Sequence, residues 1–271
     1  MLKKTPLGTN FECYGEKGMP GVVLIHGLGL NKEIWEWLLP SLTERYYVIA
    51  YDLLGHGSSS EPPKKPSLTL FAYQIRELLD WCDLDKITLV GFSLGGMICR
   101  KFAQKFPEKT NALVILNSPH LRTEAAQDAI LKRVNQAYLD GPASTVEDAL
   151  IRWFTNEYRK ENSELMDLVR SWVVANDPEV YPSIYQVLAD GVMEIINPTP
   201  KILCPTLIVT SDEDFGNGPE MAYAMSREMP NSTVLILNGI RHMALVESPS
   251  LVNEPIKSFL DQLVGRSKNG H

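Results

Sequence analysis

The stretch VGFSLGG (residues 90–96) places a serine between two glycines, directly after a run of apolar residues. A buried strand that passes through G-x-S-x-G into a helix makes a sharp turn, with the serine hydroxyl at the carboxyl edge of a sheet. Gly91 and Gly95 have no Cβ, so the turn can tighten against its neighbours. Ser93 is therefore a candidate nucleophile, although the same spacing also occurs in ordinary glycine-rich loops.

A serine nucleophile needs a general base, and the chain contains five histidines. His242, in NGIRHMALVESP, follows the last apolar run, where a loop would cross the carboxyl edge of a parallel sheet. It also follows Ser93 in the chain, as that architecture requires. His26 and His56 lie in glycine-rich stretches, and we expect them to shape loops. The sequence therefore favours His242 as the base.

The acid that orients the base is expected between the serine and the histidine, after a strand. The stretch TLIVTSDEDFGNGP provides the candidates Asp212, Glu213 and Asp214. Asp214 lies farther beyond the apolar run and is better placed to reach the histidine. Asp212 is expected to shape the turn through hydrogen bonds to the backbone. Asp214 is thus the predicted acid, and Asp212 is the alternative.

Acyl transfer also needs donors for the negative charge that develops on the carbonyl oxygen. The backbone N–H of Leu94, the residue after the serine, is a candidate for the first donor. The stretch HGLG (26–29) follows an earlier apolar run, and the N–H of Leu28 is the candidate for the second. Two preorganised donors stabilise an oxyanion only as it forms, so such a pair would favour the transition state.

Strands and helices must hold these residues, and the two kinds of element alternate along the chain. This alternation predicts an α/β domain with a mostly parallel sheet flanked by helices. Between residues 120 and 201 only helical patterns occur, which predicts a core of 1–119 and 202–271 interrupted by an all-helical cap. Within this cap, Ser144 and Glu147 form a capping-box pattern that predicts the beginning of a helix. The predicted strands are 21–26, 46–52, 86–91, 111–117, 205–211 and 232–238, and the predicted helices of the core are 70–82, 95–106 and 251–264.

The composition narrows the expected partners. The 271 residues carry a net charge of −7, which argues against binding to nucleic acid or to an anionic membrane. The four cysteines form no CxxC pair, so we expect free thiols in a reducing compartment and no metal site. An apolar signal segment and a run of about 20 apolar residues are both missing, which favours a cytoplasmic location. A small-molecule substrate is the expected partner, and a homodimer is left open.

The ordered set HGLG, GHGSS, GFSLGG, SDED and RHMALVESP resembles the α/β-hydrolase superfamily across the whole chain except the helical stretch. That stretch sits where the family carries its cap. The resemblance implies a triad of Ser93, Asp214 and His242, with Leu28 and Leu94 as oxyanion amides and no cofactor. Ser211 departs from the pattern, because many relatives have glycine there. The serine at the turn argues against the dehalogenases and epoxide hydrolases, which use an aspartate nucleophile.

Within the superfamily, the chain resembles 3-oxoadipate enol-lactonases and amidomethylene-succinate hydrolases. The C–C-bond hydrolases of aromatic meta-cleavage are also relatives, but they commonly have tryptophan after the catalytic histidine, where this chain has Met243. The expected function is cofactor-free cleavage of a small carboxylic ester or (enol-)lactone through an acyl-enzyme. Alternatives are cleavage of a C–C or amide bond in aromatic or heteroaromatic catabolism, a lyase or oxygenase built on the same triad, and a ligand receptor with slow turnover.

The cap should wall the substrate site. Arginine can bind a carboxylate through two parallel hydrogen bonds. Arg122, near the beginning of the cap, and Arg152, beside Trp153, are the candidates for such a contact. The five arginines of the cap, at 122, 133, 152, 159 and 170, are otherwise expected on a solvated face, with one of them binding the carboxylate. Trp153 is a further candidate for substrate binding.

Overall fold

A seven-stranded sheet forms the centre of the protein, with the strand order β1-β3-β2-β4-β5-β6-β7. The computed structural model describes the backbone of residues 4–269 and the side chains of residues 4–265, so residues 1–3 and 270–271 of the predicted core lie outside the described residues. The strands are β1 (Phe11–Tyr14), β2 (Gly21–Ile25), β3 (Tyr47–Tyr51), β4 (Ile87–Phe92), β5 (Thr110–Leu116), β6 (Thr206–Ser211) and β7 (Ser232–Leu237).

Six of these strands run parallel, from β3 at one side to β7 at the other. Only β1 is antiparallel, with Phe11 opposite Tyr51 on β3. Every residue of β4 and β6 is buried, because helices cover both faces of a sheet of this kind. The predicted mostly parallel α/β architecture is therefore confirmed.

Helices pack on both faces of the sheet. On one face, Ile75 and Phe102 belong to the same apolar cluster as Leu89 of β4. On the other face, Ile256 belongs to a cluster with Val90, the next residue of β4, since successive side chains of a strand point to opposite faces. The α-helices are α1 (Leu39–Leu42), α2 (Leu68–Cys82), α3 (Leu94–Lys105), α4 (Glu124–Asp140), α5 (Val146–Trp153), α6 (Asn156–Glu161), α7 (Ser163–Val174), α8 (Tyr181–Asp190), α9 (Pro219–Glu228), α10 (Ala244–Glu247) and α11 (Pro249–Asn269).

The chain between β5 and β6, residues 117–205, contains helices α4 to α8 and no strand; we call it the helical insertion. Arg100 on α3 ties its two ends together. The buried guanidinium donates to the carbonyl oxygen of Pro119 at 3.0 Å and to that of Ile195 at 3.1 Å. The beginning of the insertion and the segment that follows its last α-helix therefore contact one side chain of the core. The domain bounds at residues 120 and 201 stay a prediction.

The capping box predicted at Ser144 is wrong. Pro142 to Thr145 form a short 3-10 turn, and α5 begins only at Val146. The Ser144 hydroxyl donates back to the carbonyl oxygen of Gly141 at 2.7 Å, so it is not available to cap a following N–H. Pro142, two positions before this serine, starts the 3-10 turn, and the α-helix begins only after that turn.

No helix in the described part of the chain combines the length and the apolar character needed to cross a bilayer.

Candidate active site

Ser93 occupies the one-residue turn between β4 and α3, with φ 54° and ψ −113°. This left-handed backbone is unfavourable for a residue with a Cβ, and strained residues of this kind concentrate at functional sites. The flanking glycines allow the turn. A Cβ on Gly91 would lie 2.4 Å from the carbonyl oxygen of Gly95, and one on Gly95 would lie 2.1 Å from that of Ile25. Any side chain at either position would collide with backbone.

Two hydrogen bonds fix this turn to the next strand. The Ser93 N–H donates to the carbonyl oxygen of Leu116 at 2.9 Å. The Ser118 hydroxyl donates to the carbonyl oxygen of Ser93 at 2.8 Å. The backbone of Ser93 is thus held from both sides, and its hydroxyl lies at the carboxyl end of the sheet.

His242 and Asp214 come from loops that follow neighbouring strands, β7 and β6. Nδ1 of His242 lies 2.7 Å from Oδ2 of Asp214, and both side chains are buried. When Nδ1–H donates to this carboxylate, Nε2 is the nitrogen that can accept a proton. Asp212 is exposed, and it accepts a hydrogen bond from the Gly239 N–H at 2.8 Å. Of the two candidate acids, only Asp214 contacts the histidine.

The Asp214 carboxylate receives further donors. Oδ1 accepts from the N–H groups of Gly216 and Asn217, both at 3.1 Å, and Oδ2 accepts from Nδ2 of Asn117 at 3.0 Å. Burial alone would raise the pKa of Asp214, but the charge of His242 and the hydrogen bonds from His242, Asn117 and Gly216 lower the pKa below its ordinary value. The carboxylate is therefore ionised where it meets the imidazole.

Asn117 was not among the residues that the sequence pointed to. It directly follows β5, in a left-handed conformation with φ 45°. Its Nδ2 lies 3.2 Å from the hydroxyl oxygen of Ser211 as well as near Asp214. Ser211, where many relatives have glycine, thus accepts a hydrogen bond that orients Asn117. A polar residue at the carboxyl end of a strand between the serine and the acid was the available signal.

Leu28 and Leu94 both present backbone N–H groups that donate no hydrogen bond within the described residues. Leu94 is the first residue of α3, where the helix leaves its N–H groups free. The loop that carries Leu28 runs close to the serine, because a Cβ on Gly27 would lie 3.2 Å from Cβ of Ser93. One unpaired N–H, that of Leu94, therefore lies in the Ser93 turn, and the other, that of Leu28, belongs to the loop beside it.

Two buried histidines shape this loop. His26 accepts from the Leu53 N–H through Nε2 at 2.9 Å, and its Nδ1 lies 2.7 Å from the carbonyl oxygen of Gly27. His56 accepts from the Gly29 N–H through Nε2 at 3.0 Å. Burial lowers the pKa of His26 to about 4 and, with the neighbouring His26, that of His56 to about 3. Both rings are neutral at physiological pH and can therefore accept from the backbone.

The loop that carries His242 is hydrogen bonded to the helical insertion. The Met243 N–H donates to the carbonyl oxygen of Trp153 at 2.9 Å. The Arg241 guanidinium donates to the carbonyl oxygens of Ile151 at 2.8 Å and Phe154 at 3.1 Å. These are the carbonyls that the end of α5 leaves without helical partners. The position of His242 therefore depends on the insertion as well as on the sheet.

A cavity of about 220 Å³ lies between the carboxyl end of the sheet and the insertion. From the core, it is lined by Ser93, Asp214, His242 and Leu28. The Leu94 side chain is buried and does not line the cavity. The insertion contributes aliphatic side chains and Thr145, together with six aromatic and cationic side chains: Arg122, Arg133, Arg152, Trp153, Tyr181 and Tyr185. The ring centroid of Trp153 lies 6.2 Å from that of His242.

The three arginines make this cavity cationic. Among the described residues that line it, Asp214 is the only acidic one, and it is paired with His242. Arg122 donates to the carbonyl oxygens of Leu188 and Ala189, and burial lowers its pKa to about 10, so it is charged at neutral pH. The Arg152 guanidinium has no hydrogen bond or ion pair within the described residues; burial and then Arg133 lower its pKa. A chain with net charge −7 thus gathers positive charge in one cavity.

Arg133 was expected on a solvated face, and the structure contradicts this expectation. Its Nε donates to the Tyr185 hydroxyl at 3.1 Å, and it lines the cavity. Ala126, Ala129 and Ile130 precede it on the same face of α4 and line the cavity as well. Their spacing with Arg133 is that of one helix face, which was the signal in the sequence.

The described residues contain no group of three or more histidine, cysteine, aspartate or glutamate side chains that could hold a metal ion.

The family model for the α/β-hydrolase fold matches residues 20–249. The chain belongs to the α/β-hydrolase family. This confirms the resemblance seen in the sequence and the predicted hydrolase class, while the substrate and the roles of individual residues stay predictions.

Similar proteins cover nearly the whole of this α/β-hydrolase. One is the (E)-2-((N-methylformamido)methylene)succinate hydrolase of Acinetobacter baylyi, 28% identical over 89% of this chain and 90% of that protein. Another is the 3-oxoadipate enol-lactonase 2 of the same organism, 24% identical over 96% of this chain and 95% of that protein. The crystal structure of an enol-lactonase from Burkholderia xenovorans superposes with a TM-score of 0.87 at 19% identity, covering 96% and 100% of the two chains.

Proposed function

We propose that this hydrolase cleaves a small ester or (enol-)lactone that carries a carboxylate, through an acyl-enzyme on Ser93. The observation that supports it most is the buried His242–Asp214 pair at 2.7 Å, which lines the same cavity as the strained serine. With Nδ1–H donating to Asp214, His242 accepts a proton at Nε2, which is the atom that a general base for Ser93 would use.

In the proposed first half-reaction, His242 removes the proton of the Ser93 hydroxyl while the oxygen attacks the carbonyl carbon of the substrate. The carbonyl oxygen becomes negative, and the N–H groups of Leu28 and Leu94 donate to it. The intermediate collapses to an ester of Ser93, and the alcohol or enol oxygen leaves with the proton held by His242. Asp214 stabilises the imidazolium during this transfer.

In the second half-reaction, His242 removes a proton from water, and the hydroxide attacks the acyl carbon of the serine ester. The same two N–H groups stabilise the second oxyanion. Collapse releases the carboxylic acid, and the proton returns to the Ser93 oxygen. No cofactor is needed to balance either step.

The cationic lining supports a substrate with a carboxylate. Arg122, Arg133 and Arg152 all line the cavity from the insertion, and Arg152 has no partner of its own among the described residues. A carboxylate would satisfy this buried charge through paired hydrogen bonds. The two named relatives from Acinetobacter baylyi act, by their names, on a substituted succinate and on an oxoadipate enol-lactone, and such compounds would place a carboxylate beside the bond to be cleaved.

The test is covalent labelling with a fluorophosphonate probe, in which the Oγ–P bond forms as fluoride leaves. We expect mass spectrometry to locate one adduct on Ser93, and the Ser93→Ala variant to be unlabelled and inactive on small esters and lactones. Ser258→Ala is the matched control, because this serine is exposed on α11 and does not line the cavity. A parent protein that stays unlabelled, or a Ser93→Ala variant that keeps its activity, would contradict the proposed mechanism.

A further inference from the structure

The backbone N–H and the carbonyl oxygen of Gly29 each make a hydrogen bond, one with the core and one with the insertion. Its N–H donates to Nε2 of His56 in the core, and its carbonyl oxygen accepts from Nδ2 of Asn176 in the insertion, both at 3.0 Å. Gly29 has φ 77°, and a Cβ here would lie 3.3 Å from the Tyr181 ring. Gly29, the residue after Leu28, is therefore restricted by its backbone conformation and by these two hydrogen bonds.

The Asn176 amide can face Gly29 in only one orientation. Nδ2 lies 3.0 Å from the carbonyl oxygen of Gly29 and 2.9 Å from those of Trp172 and Val173. Rotating the amide by half a turn would set Oδ1 against three carbonyl oxygens, so the NH2 group must point towards them. Oδ1 itself is buried and has no hydrogen-bond partner within the described residues. The side chain thus acts as a donor alone.

These contacts join the end of α7 to the loop that carries Leu28. Trp172 and Val173 lie in the last turn of α7, and the Val173 carbonyl oxygen also accepts from the backbone N–H of Asn176 at 3.3 Å. The buried amide of Asn176 donates both to the end of α7 and to Gly29. A displacement of α7 would therefore move the NH2 group that binds the Gly29 carbonyl oxygen. The reaction proposed above gives this contact a function, because an oxyanion donor is effective only when it is already aligned.

We infer that Asn176 is a positioning residue, which acts through Gly29 to align the Leu28 N–H with the developing oxyanion. The inference rests on the proposed serine mechanism. It gives the helical insertion a part in transition-state stabilisation, in addition to its contribution to the cavity wall. Asn176 itself lies behind the loop and is not a cavity-lining residue.

The experiment compares Asn176→Ala with Asn162→Ala. Asn162 is the matched control, because its Nδ2 donates to the carbonyl oxygen of Tyr158 at 3.0 Å and its hydrogen bonds stay within the insertion. The readouts are kcat and KM on p-nitrophenyl acetate, the rate of fluorophosphonate labelling at Ser93, and Tm. For Asn176→Ala we expect kcat and the labelling rate to fall together by about tenfold or more, yet by less than the roughly 10²–10³-fold loss of a whole oxyanion donor.

KM should change less than about twofold, since the oxyanion is absent from the bound substrate. The Asn162→Ala variant should keep the parent kcat and labelling rate whatever its Tm. If Asn176→Ala does not fold, Asn176→Leu keeps about the same side-chain size and removes the NH2 donor without burying a charge, and the same loss is expected.

Equal labelling rates in the parent, Asn176→Ala and Asn176→Leu would overturn the inference and leave the serine mechanism standing. A loss confined to KM, or an equal loss in Asn162→Ala, would also overturn it. A parent protein that the probe does not label would instead overturn the proposed function, and the inference with it.

Discussion

His242 and Asp214 meet at 2.7 Å, whereas Asp212, two positions earlier, turns away to the Gly239 N–H. The sequence SDED brings both carboxylates to the end of β6, and the difference between them arises from the turn. Asp214 lies past the turn and is buried against the loop after β7, while Asp212 is exposed within it. This contrast offers a comparison of two neighbouring carboxylates.

Asp214→Asn should abolish most activity. An amide in place of the carboxylate would stabilise the wrong imidazole tautomer and would not support the imidazolium, so we expect kcat to fall by roughly 10³–10⁴-fold. Asp212→Asn is the control and should change kcat less than about twofold. Steady-state kinetics on one ester decide the matter, and a larger loss in Asp212→Asn would reverse the assignment of the acid.

Arg152→Met should discriminate against charged substrates. Removing a guanidinium that binds a carboxylate should lower kcat/KM for a carboxylate-bearing ester by roughly tenfold to 100-fold. The methyl ester of the same acid, which has no charge, should be affected much less. Arg170→Met is the control, because Arg170 pairs with Glu147 on the outer side of the insertion. Equal losses on both substrates would contradict carboxylate recognition by Arg152.

The two loop-shaping histidines should make stability depend on pH. Their folded pKa values, about 4 for His26 and about 3 for His56, lie below the unfolded value of about 6.5. Below pH 6.5 the unfolded chain binds more protons, so the free energy of unfolding falls as the pH falls towards 4. Each histidine contributes a slope that approaches about 1.4 kcal/mol per pH unit.

Replacing one of them tests this assignment. His26→Gln keeps an acceptor for the Leu53 N–H and a donor for the Gly27 carbonyl oxygen but does not titrate in this range. Between pH 5 and 6.5, the free energy of unfolding measured in urea should therefore change less steeply with pH in His26→Gln than in the parent. The difference should equal the contribution of one histidine. At pH 8 the parent has no such contribution to lose, so this measurement serves as the reference. An unchanged slope in His26→Gln would contradict a neutral His26.

Gly95→Ala should prevent correct folding of the serine turn. Its Cβ would lie 2.1 Å from the carbonyl oxygen of Ile25, and backbone on both sides must move, which we expect to destabilise the protein by about 3 kcal/mol or more. Gly265→Ala is the control in the exposed part of α11, where a Cβ meets nothing within 4 Å. That change should stabilise by up to about 1 kcal/mol. Equilibrium unfolding in urea gives both values.

The parallel strands could be predicted because each is a short apolar run that helices bury on both faces. β1 was missed, since its four residues form an antiparallel edge in which only Phe11 is buried. α9 was missed as well: it begins at Pro219, directly after the glycine-rich turn of the acid loop. Local patterns of this length do not separate a short element from a loop.

The functional loops could be predicted because their order along the chain is fixed by the parallel sheet. The contacts that support them could not be predicted in the same way. Asn117 reaches Asp214 across 97 positions, and Asn176 reaches Gly29 across 147. The orientation of Arg133 depends on which face of α4 packs against α8. Such relations follow from tertiary packing and leave only weak signals in the sequence.

Arg100 holds the carbonyl oxygens of Pro119 and Ile195 with one guanidinium, so the chain leaves the core and returns to it at almost the same place. A segment joined in this way can be exchanged between relatives as a cassette, with splice points at these two residues and little change to the sheet. In evolution as in engineering, new substrate range could then be acquired by replacing one continuous piece of gene. A working graft would have to supply a donor for the Gly29 carbonyl oxygen and a helix end whose carbonyl oxygens accept from Arg241.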